Sequence, residues 1–294
     1  MLNYICQKDN FWGMIRVIIN ADDLGKSSEV NEAIGHALED GAITSSTIMA
    51  NSTTWDQVHK IIERNPQASF GIHLNLTEGC ALTSNPILRN AGVVDENNVF
   101  TKNVRNLPSY SDEVLEAIKN EWDSQLDKVI NIEGINVSHI DGHHHIHTFY
   151  PFRFILIDLL KKYGITKVRN RYNYPNGTIK CLANAAFSAL SAIDLIFHFF
   201  EGKKSSHRLF SLVYSSMENA RWRKLLGKYA TMTEYFDSYE HFCQVIQTLK
   251  PANSATIELM CHPGHPLYRN EMELMYQYNI KECFHFFLMN YKNK

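Results

Sequence analysis

The sequence predicts an α/β fold built around a parallel β-sheet. Short runs rich in β-branched residues alternate with longer segments whose apolar residues recur at helical spacing, and this alternation is typical of strand–helix–strand units. No linker or shift in composition divides the 294 residues. Because α/β barrels reach about 250 residues as one unit, we expect a single domain over 1–294, with 1–13 as an N-terminal extension.

The first part of the chain alternates strand and helix patterns. Apolar, β-branched runs predict strands at 14–20 (MIRVIIN), 43–51 (ITSSTIMAN) and 69–76 (SFGIHLNL). Apolar residues three or four positions apart predict helices at 27–40 and 54–64, the second ended by Asn65-Pro66. Residues 77–108 are rich in Gly, Asn, Thr and Pro and lack periodicity, so we predict an insertion or active-site lid after the third strand.

The same alternation continues to the end of the chain. A long helix is predicted at 112–133, where Val114, Ile118 and Trp122 lie on one face. Further helices are predicted at 152–163, 180–200, 216–230 and 238–250. Further strands are predicted at 135–143, 165–171, 209–214 and 254–262, which brings the total to about seven.

Composition excludes two classes of partner. The formal net charge is −2, so the chain has neither the basic surface that binds nucleic acid nor a polybasic stretch for an anionic membrane. The apolar window 187–200 is interrupted by Asp194 and His198, and the first residues lack the apolar core of a secretory signal. We therefore expect a cytoplasmic protein. Its six scattered cysteines are predicted to be reduced thiols, namely Cys6, Cys80, Cys181, Cys243, Cys261 and Cys283.

Polar residues follow four of the predicted strands, at 20–23, 71–75, 139–147 and 261–265. The carboxyl ends of parallel strands meet at one edge of a sheet, where α/β proteins place their reacting groups. The four segments therefore predict one site. A P-loop, a G-x-G-x-x-G after a strand and a G-x-S-x-G are all missing from the sequence, which leaves nucleotide-binding and serine-hydrolase functions without support.

The adjacent carboxylates Asp22 and Asp23 permit two interpretations. Asp23 can cap the following helix, or the pair can simply end the strand. Alternatively, one carboxylate binds a metal ion while its neighbour takes a proton from water as a general base. Because adjacent side chains of a strand diverge, the second interpretation requires the chain to turn at this point.

Five histidines in the nine residues 139–147 are the strongest indication of metal binding. If the segment is extended, one face carries His139, Asp141, His143 and His145. A disordered His-rich tract is the alternative, although interleaved apolar residues favour folded structure. His73, on the third strand, is by itself equally compatible with a structural role. Together with Asp23 and His143 it makes a three-residue ligand set that leaves positions open for water and substrate.

Histidine and arginine side chains at two other strand ends complete the candidates. His262 precedes Pro263-Gly264, where an imidazole either protonates a leaving group or is an exposed turn residue. Arg169 and Arg171 share a face at the end of the fifth strand. They are expected either to hold a carboxylate such as that of Asp22 or to form outward salt bridges.

Six segments together resemble the successive motifs of the YdjC-like carbohydrate deacetylase family. They occur in the family's order between about residues 16 and 278, as NADDLG (20–25), GAITSSTIMAN (41–51), GIHLNLTEG (71–79), SHIDGHHHIH (138–147), KVRN (167–170) and ELMCHPG (258–264). Leu24 departs from the commoner NADDFG. The resemblance implies a distorted TIM-like barrel with fewer than eight strands, and hydrolysis of N-acetyl groups from amino sugars such as chitooligosaccharides.

By position, the resemblance implies the metal ligands Asp23, His73 and His143, with Asp22 as the base and His262 as the acid. His139 has a metal-binding counterpart in polysaccharide deacetylases. Expected behind the ligands or against the substrate are His139, Asp141, His145 and Arg169. The resemblance implies one divalent ion, Mg²⁺, while the ligand types also suit Zn²⁺, Mn²⁺ or Ni²⁺. Residues 172–225 match the family least.

We therefore predict a cytoplasmic metal-dependent hydrolase that releases acetate from N-acetylated sugars or oligosaccharides. One alternative keeps the site and changes the substrate to a phosphoester or another amide, because an Asp/His/His ion is generic. A metal-binding or sensor protein without turnover is the alternative from a different class. The apolar aromatic stretch 283–289 is a candidate homodimer contact.

Overall fold

A curled sheet of six parallel strands organises the chain. The computed structural model describes residues 16–171, 217–245, 255–277 and 287–293. The strands are β1 Arg16–Leu24, β2 Ser45–Ile48, β3 Ser69–Leu74, β4 Ile140–Gly142, β5 Tyr235–Ser238 and β6 Thr256–Cys261. Their order across the sheet is β4-β3-β2-β1-β6-β5, and a two-residue strand, β7 (Phe287–Leu288), also pairs with β1. Because every pairing is parallel, the carboxyl ends of the strands lie along one edge.

Helices follow the strands and cover the sheet. They are α1 Ser28–Glu39, α2 Trp55–Arg64, α3 Pro86–Asn90, α4 Asp112–Asp127, α5 Arg153–Tyr163, a helical stretch at 217–226, α6 Tyr239–Val245 and α7 Arg269–Gln277. Ser27 caps α1, since its side chain accepts a hydrogen bond from the Val30 amide. The helix then buries Val30, Ile34 and Leu38 on one face. The π-helical turn Lys128–Ile132 extends α4, so the helix predicted at 112–133 is confirmed.

The core lies between the helices and the sheet. Eight of the nine residues of β1 are buried, as expected of a central strand covered on both faces. Trp122 of α4 is fully buried and meets the Phe152 ring edge-to-face at 5.5 Å. Residues 77–108 pack on the same core. Glu121 of α4 accepts hydrogen bonds from the backbone amides of Leu82 and Thr83, so this segment is anchored rather than loose. Its role as an insertion or lid stays a prediction.

Two predicted strands differ from the structure. The run 165–171 forms isolated parallel bridges, Ile140 with Val168 and Lys167 with Thr231, instead of a regular strand. These bridges continue the hydrogen bonding beyond β4 toward the residues that precede β5, which adds to the curl of the sheet. The strand predicted at 135–143 is regular only at 140–142, because the chain turns sharply after Gly142. The helix expected at 180–200 and the strand expected at 209–214 lie outside the described residues.

The sequence patterns missed β5, Tyr235–Ser238, because a four-residue strand with two polar residues gives no clear periodicity. In the stretch 283–289, the candidate homodimer contact, residues 287–288 pair with β1 and Met289 is buried beside Ile18. The homodimer stays a prediction. The described part of the chain contains no helix long and apolar enough to cross a membrane.

Candidate functional site

The end of β1 turns so that two neighbouring carboxylates enter the same site. Asp23 has φ 72°, the left-handed region that non-glycine residues rarely adopt. The register between β1 and β2 shifts between Ala21 and Leu24, as at a β-bulge. Asp22 and Asp23 are therefore both buried at the carboxyl end of the strand instead of on opposite faces. Asp23 does not cap α1, since Ser27 does.

Two imidazoles converge on Asp23. His73 Nε2 lies 3.3 Å and His143 Nδ1 lies 2.9 Å from the same oxygen, Asp23 Oδ1. Ligating atoms of the three residues all lie within 4.8 Å of one another, and all three residues are buried. Neither ring N–H has hydrogen-bond geometry to Asp23 Oδ1, which is a buried oxygen without a hydrogen bond in the described structure. Buried polar atoms normally have a partner, so this oxygen faces a position suited to a cation.

Each imidazole has a second carboxylate on its other ring nitrogen. His73 Nδ1 lies 2.6 Å from Asp141 Oδ1, its neighbour across the β3–β4 register. His143 Nε2 lies 2.8 Å from Glu78 Oε2, and Lys26 pairs with Glu78 at 2.9 Å. Such carboxylate–histidine pairs fix the ring orientation of histidine ligands in metal sites.

Neighbouring charges strongly shift the pKa values of the residues in this cluster. Burial lowers the pKa of His73, but the carboxylates of Asp141 and Asp22 more than offset it and raise that pKa to about 10. Burial also disfavours the charged form of Asp23, which for a carboxyl raises the pKa. His143 and His73 nevertheless hold the pKa of Asp23 well below its ordinary value. The cluster therefore attracts positive charge, and a proton or a divalent cation can supply it.

Arg169 lies behind Asp22 and is fully buried. Its Nη1 and Nη2 donate to the two Asp22 oxygens at 2.7 and 2.6 Å, its Nη1 lies 2.8 Å from Asp141, and its Nε donates to Glu258 at 2.5 Å. Arg169 therefore holds the carboxylate of Asp22 and does not form an outward salt bridge. Burial raises the pKa of Asp22, but Arg169, then His73 and His262, lower it far below its ordinary value.

The segment after β4 is not extended. His144 and His145 have φ 51° and 56°, so His143–Thr148 forms a kinked 3₁₀ turn, and the expected alternation of one face through His145 is wrong. His145 packs edge-to-face on Phe236, with ring centroids 5.4 Å apart. Its pKa falls to about 3, chiefly through burial. Left-handed conformations at two bulky residues store strain, which is common at functional sites.

His139 lies apart from the three-residue cluster. Its ring stacks on Tyr291 at 3.6 Å and packs against Gly71, where a Cβ would come within 2.5 Å of the ring. Its Nδ1 lies 2.8 Å from the Ser138 hydroxyl. Burial, with Arg169 next, holds the pKa of His139 well below its ordinary value, so the ring is neutral. His139 therefore does not share a face with His143, and that expectation is wrong.

His262 follows β6 and is held by α7. Its backbone amide donates to Glu271 Oε2 at 2.6 Å, and its ring stacks on Tyr268 at 4.2 Å. The His262 side chain is 13% exposed, and Nδ1 lies 3.5 Å from the same Glu271 oxygen. Arg171, in contrast to Arg169, reaches Thr148 Oγ1 at 3.4 Å and stays outside the cluster.

Sequence reasoning missed several residues that support the cluster, among them Lys26, Glu78, Glu258 and Tyr291. Glu78 lies in the LTEG segment, and Glu258 is a carboxylate inside the apolar strand β6, which is itself a signal because charged residues are rarely buried unless paired. The Tyr291 hydroxyl donates to Glu258. Tyr291 lies far along the chain from the other site residues, so no sequence pattern pointed to its role.

The fold and the site together define an α/β protein of the parallel-sheet type with a buried carboxylate–histidine cluster at the carboxyl ends of its strands. The profile described as YdjC-like protein matches residues 16–284, which is most of the chain. The chain therefore belongs to the YdjC-like family, and the resemblance of the sequence motifs is confirmed.

Three relatives of the chain share the description carbohydrate deacetylase. A carbohydrate deacetylase of Clostridium beijerinckii is 32% identical over 257 residues, 85% of this chain and 82% of the relative. One from Halalkalibacterium halodurans is 33% identical over 168 residues, 55% of this chain and 67% of the relative. One from Vibrio cholerae is 34% identical over 151 residues, 51% of this chain and 57% of the relative. The matches to the latter two thus span about three fifths to two thirds of those relatives.

A solved structure confirms the architecture. A crystal structure of a protein from Enterococcus faecalis, provisionally described as a cellobiose-phosphate cleavage protein, superposes with a TM-score of 0.68. The match covers 96% of this chain and 99% of the other at 19% identity. At that identity the likeness shows the fold alone.

Proposed function

We propose that this protein is a metal-dependent carbohydrate N-deacetylase that hydrolyses the acetamide of an N-acetylated amino sugar to acetate and a free amine. The convergence of Asp23, His73 and His143, with Asp22 beside them, is the observation that supports this most. A relative described as a carbohydrate deacetylase, matched over 82% of its length, supports the substrate class.

The residues present fit a single divalent ion. Asp23, His73 and His143 would hold it, because Asp23 Oδ1 is buried without a hydrogen bond and both rings are backed by carboxylates. Two imidazoles and one carboxylate suit Zn²⁺, Mn²⁺ or Ni²⁺, while Mg²⁺ is the ion that the family resemblance implies. When bound, such an ion supplies Lewis acidity, which acidifies a water and polarises a carbonyl oxygen.

We assign the proton of the attacking water to Asp22, at Oδ2. Its Oδ1 already accepts hydrogen bonds from Asn20 and Arg169, at 2.8 and 2.6 Å, whereas Oδ2 accepts from Arg169 alone. Oδ2 also faces the cluster, 4.0 Å from His73 Nε2. Arg169 keeps Asp22 ionised and fixes its direction, but it also weakens Asp22 as a proton acceptor. The base role therefore requires an acidified water.

His262 is the group we assign to the leaving amine. It is close enough to Asp22 to lower the pKa of that carboxyl, after the larger effects of Arg169 and His73. Glu271 and Tyr268 fix the ring from two sides. As water adds to the acetamide carbon and the C–N bond breaks, Asp22 takes a proton from the water and the His262 ring gives a proton to the nitrogen, so that acetate and the free amine are released. We further propose a cytoplasmic location, and a homodimer remains a prediction.

Substrate panels test this function. We expect the purified protein supplied with a divalent ion to release acetate from N-acetylated mono- and oligosaccharides and to lose that activity after chelation. A phosphoester panel is the parallel assay, because the same ligands serve phosphoesterases. Phosphate release without acetate release would overturn the proposal, and several ions per chain without turnover would favour a sensor or storage protein.

A further inference from the structure

The segment 287–293 crosses the amino ends of the strands, at the opposite edge of the sheet from the candidate site. Its first two residues pair with the start of β1. The Tyr291 amide donates to Oγ of Ser69, the first residue of β3, at 3.1 Å, and Asn290 Nδ2 donates to the Gln67 carbonyl oxygen at 2.6 Å. Hydrogen bonds therefore fix this segment to the sheet, and Tyr291 is fully buried.

Two contacts set the position of the Tyr291 side chain. Its ring stacks on His139, with centroids 3.6 Å apart and planes 12° from parallel. Its hydroxyl donates to Oε2 of Glu258, a fully buried carboxylate on β6. Burial raises the pKa of Glu258, while the charge of Arg169 and the hydrogen bond from Tyr291 act against that rise. Tyr291 therefore both orients Glu258 and stabilises its charged form.

Glu258 in turn holds Arg169. Its Oε1 accepts from Arg169 Nε at 2.5 Å, whereas the two terminal nitrogens of the same guanidinium donate to Asp22 at 2.7 and 2.6 Å. A guanidinium is planar, and its five N–H donors lie in a fixed fork. The contact at Nε therefore sets the rotation of the whole plane, and with it the direction of the two bonds to Asp22.

We propose that Tyr291 and Glu258 are positioning residues for Asp22, which rests on the proposed function, where Asp22 is the base. Tyr291 fixes the Glu258 carboxylate, and that carboxylate fixes the Arg169 guanidinium. The guanidinium then directs the Asp22 carboxylate. Every link is a hydrogen bond between buried side chains, and a close-packed interior transmits a shift instead of absorbing it. The action of Asp22 therefore depends on a segment that lies at the far edge of the sheet.

Tyr291→Phe removes the hydroxyl and keeps the ring that stacks on His139. We expect kcat for acetate release to fall about tenfold, since misplacing a reacting group by about 1 Å costs up to roughly 10²-fold. KM and the affinity for Mn²⁺ should not change. Glu258→Gln keeps the shape and removes the charge, and it should lower kcat in the same way. Tyr163→Phe is the matched control with wild-type kcat, because the Tyr163 hydroxyl also donates to a carboxylate, that of Asp123 at 2.9 Å, between α4 and α5.

Double variants distinguish positioning of Asp22 from a general loss of stability. If Tyr291 acts through Asp22, Tyr291→Phe should leave the residual rate of Asp22→Asn unchanged. If it acts through Glu258, its effect should also disappear in the Glu258→Gln background. Wild-type kcat in Tyr291→Phe, or the same loss of kcat in both of these backgrounds, would overturn the proposal.

A crystal structure of Tyr291→Phe separates this proposal from the proposed function. The variant should keep the fold, with the Arg169 guanidinium turned and at least one of its two hydrogen bonds to Asp22 lengthened or lost. If the wild type releases no acetate but the variant shows this displacement, the proposed function fails and the positioning of Asp22 is supported. Unchanged hydrogen bonds between Arg169 and Asp22 would overturn the positioning, whichever reaction the protein catalyses.

Discussion

Asp22→Asn should reduce acetate release by about 10²–10⁴-fold while metal content stays near that of the wild type. The amide is isosteric but has almost no affinity for a proton, so the attacking water loses its acceptor. Arg169 keeps Asp141 and Glu258 as partners, which should preserve the fold. Kinetics of acetate release and metal analysis of the purified variant are the measurements.

Asp158→Asn provides the control for this substitution, since Asp158 is exposed on α5 and pairs with Lys119. It should retain both activity and metal. If Asp22→Asn loses its metal together with its activity, Asp22 is a ligand rather than the base. If it keeps most of its activity, another group accepts the proton.

Asp23→Asn should lose both the metal ion and the activity. The same isosteric change one residue further along the chain removes the charge on the oxygen that faces His73 and His143. Changing a residue that only supports a ligand typically costs about 10–100-fold in metal affinity, and loss of a charged ligand should cost at least the upper end of that range. Titration of the metal-free protein with Mn²⁺, followed by calorimetry, gives the affinity directly.

The contrast between the two neighbours is the informative result. Asn at position 22 should separate turnover from metal binding, whereas Asn at position 23 should abolish both. Wild-type affinity for Mn²⁺ in Asp23→Asn would show that the ion is held elsewhere, for instance at the second cluster of Asp22, His73 and Asp141.

Much of the fold follows from local patterns. The strands at β1, β2, β3 and β6 and the helices α1, α2, α4 and α5 were predicted within a few residues, because each has strong periodicity and clear end signals such as Ser27 before α1. The convergence of Asp23, His73 and His143 could be anticipated for the same reason, since parallel strands bring their carboxyl ends together.

The remainder depends on the packing of distant segments. Asp23, His144 and His145 take left-handed conformations. None of them is a glycine, so no sequence signal marks these turns. These turns bring Asp22 beside Asp23 and remove His145 from the face of His143. The pairing of Arg169 with Asp22, Asp141 and Glu258 joins segments up to 147 residues apart. The stacking of Tyr291 on His139 also joins distant segments, which only tertiary packing brings together.

The metal site can be tested with a crystal of the protein grown with Mn²⁺ and measured at the manganese absorption edge. We expect one anomalous peak per chain, at coordination distance from Asp23, His73 and His143, with Asp22 held by Arg169 beside it. A peak bound by other residues, or no peak in crystals of protein that releases acetate in the presence of the ion, would contradict this expectation.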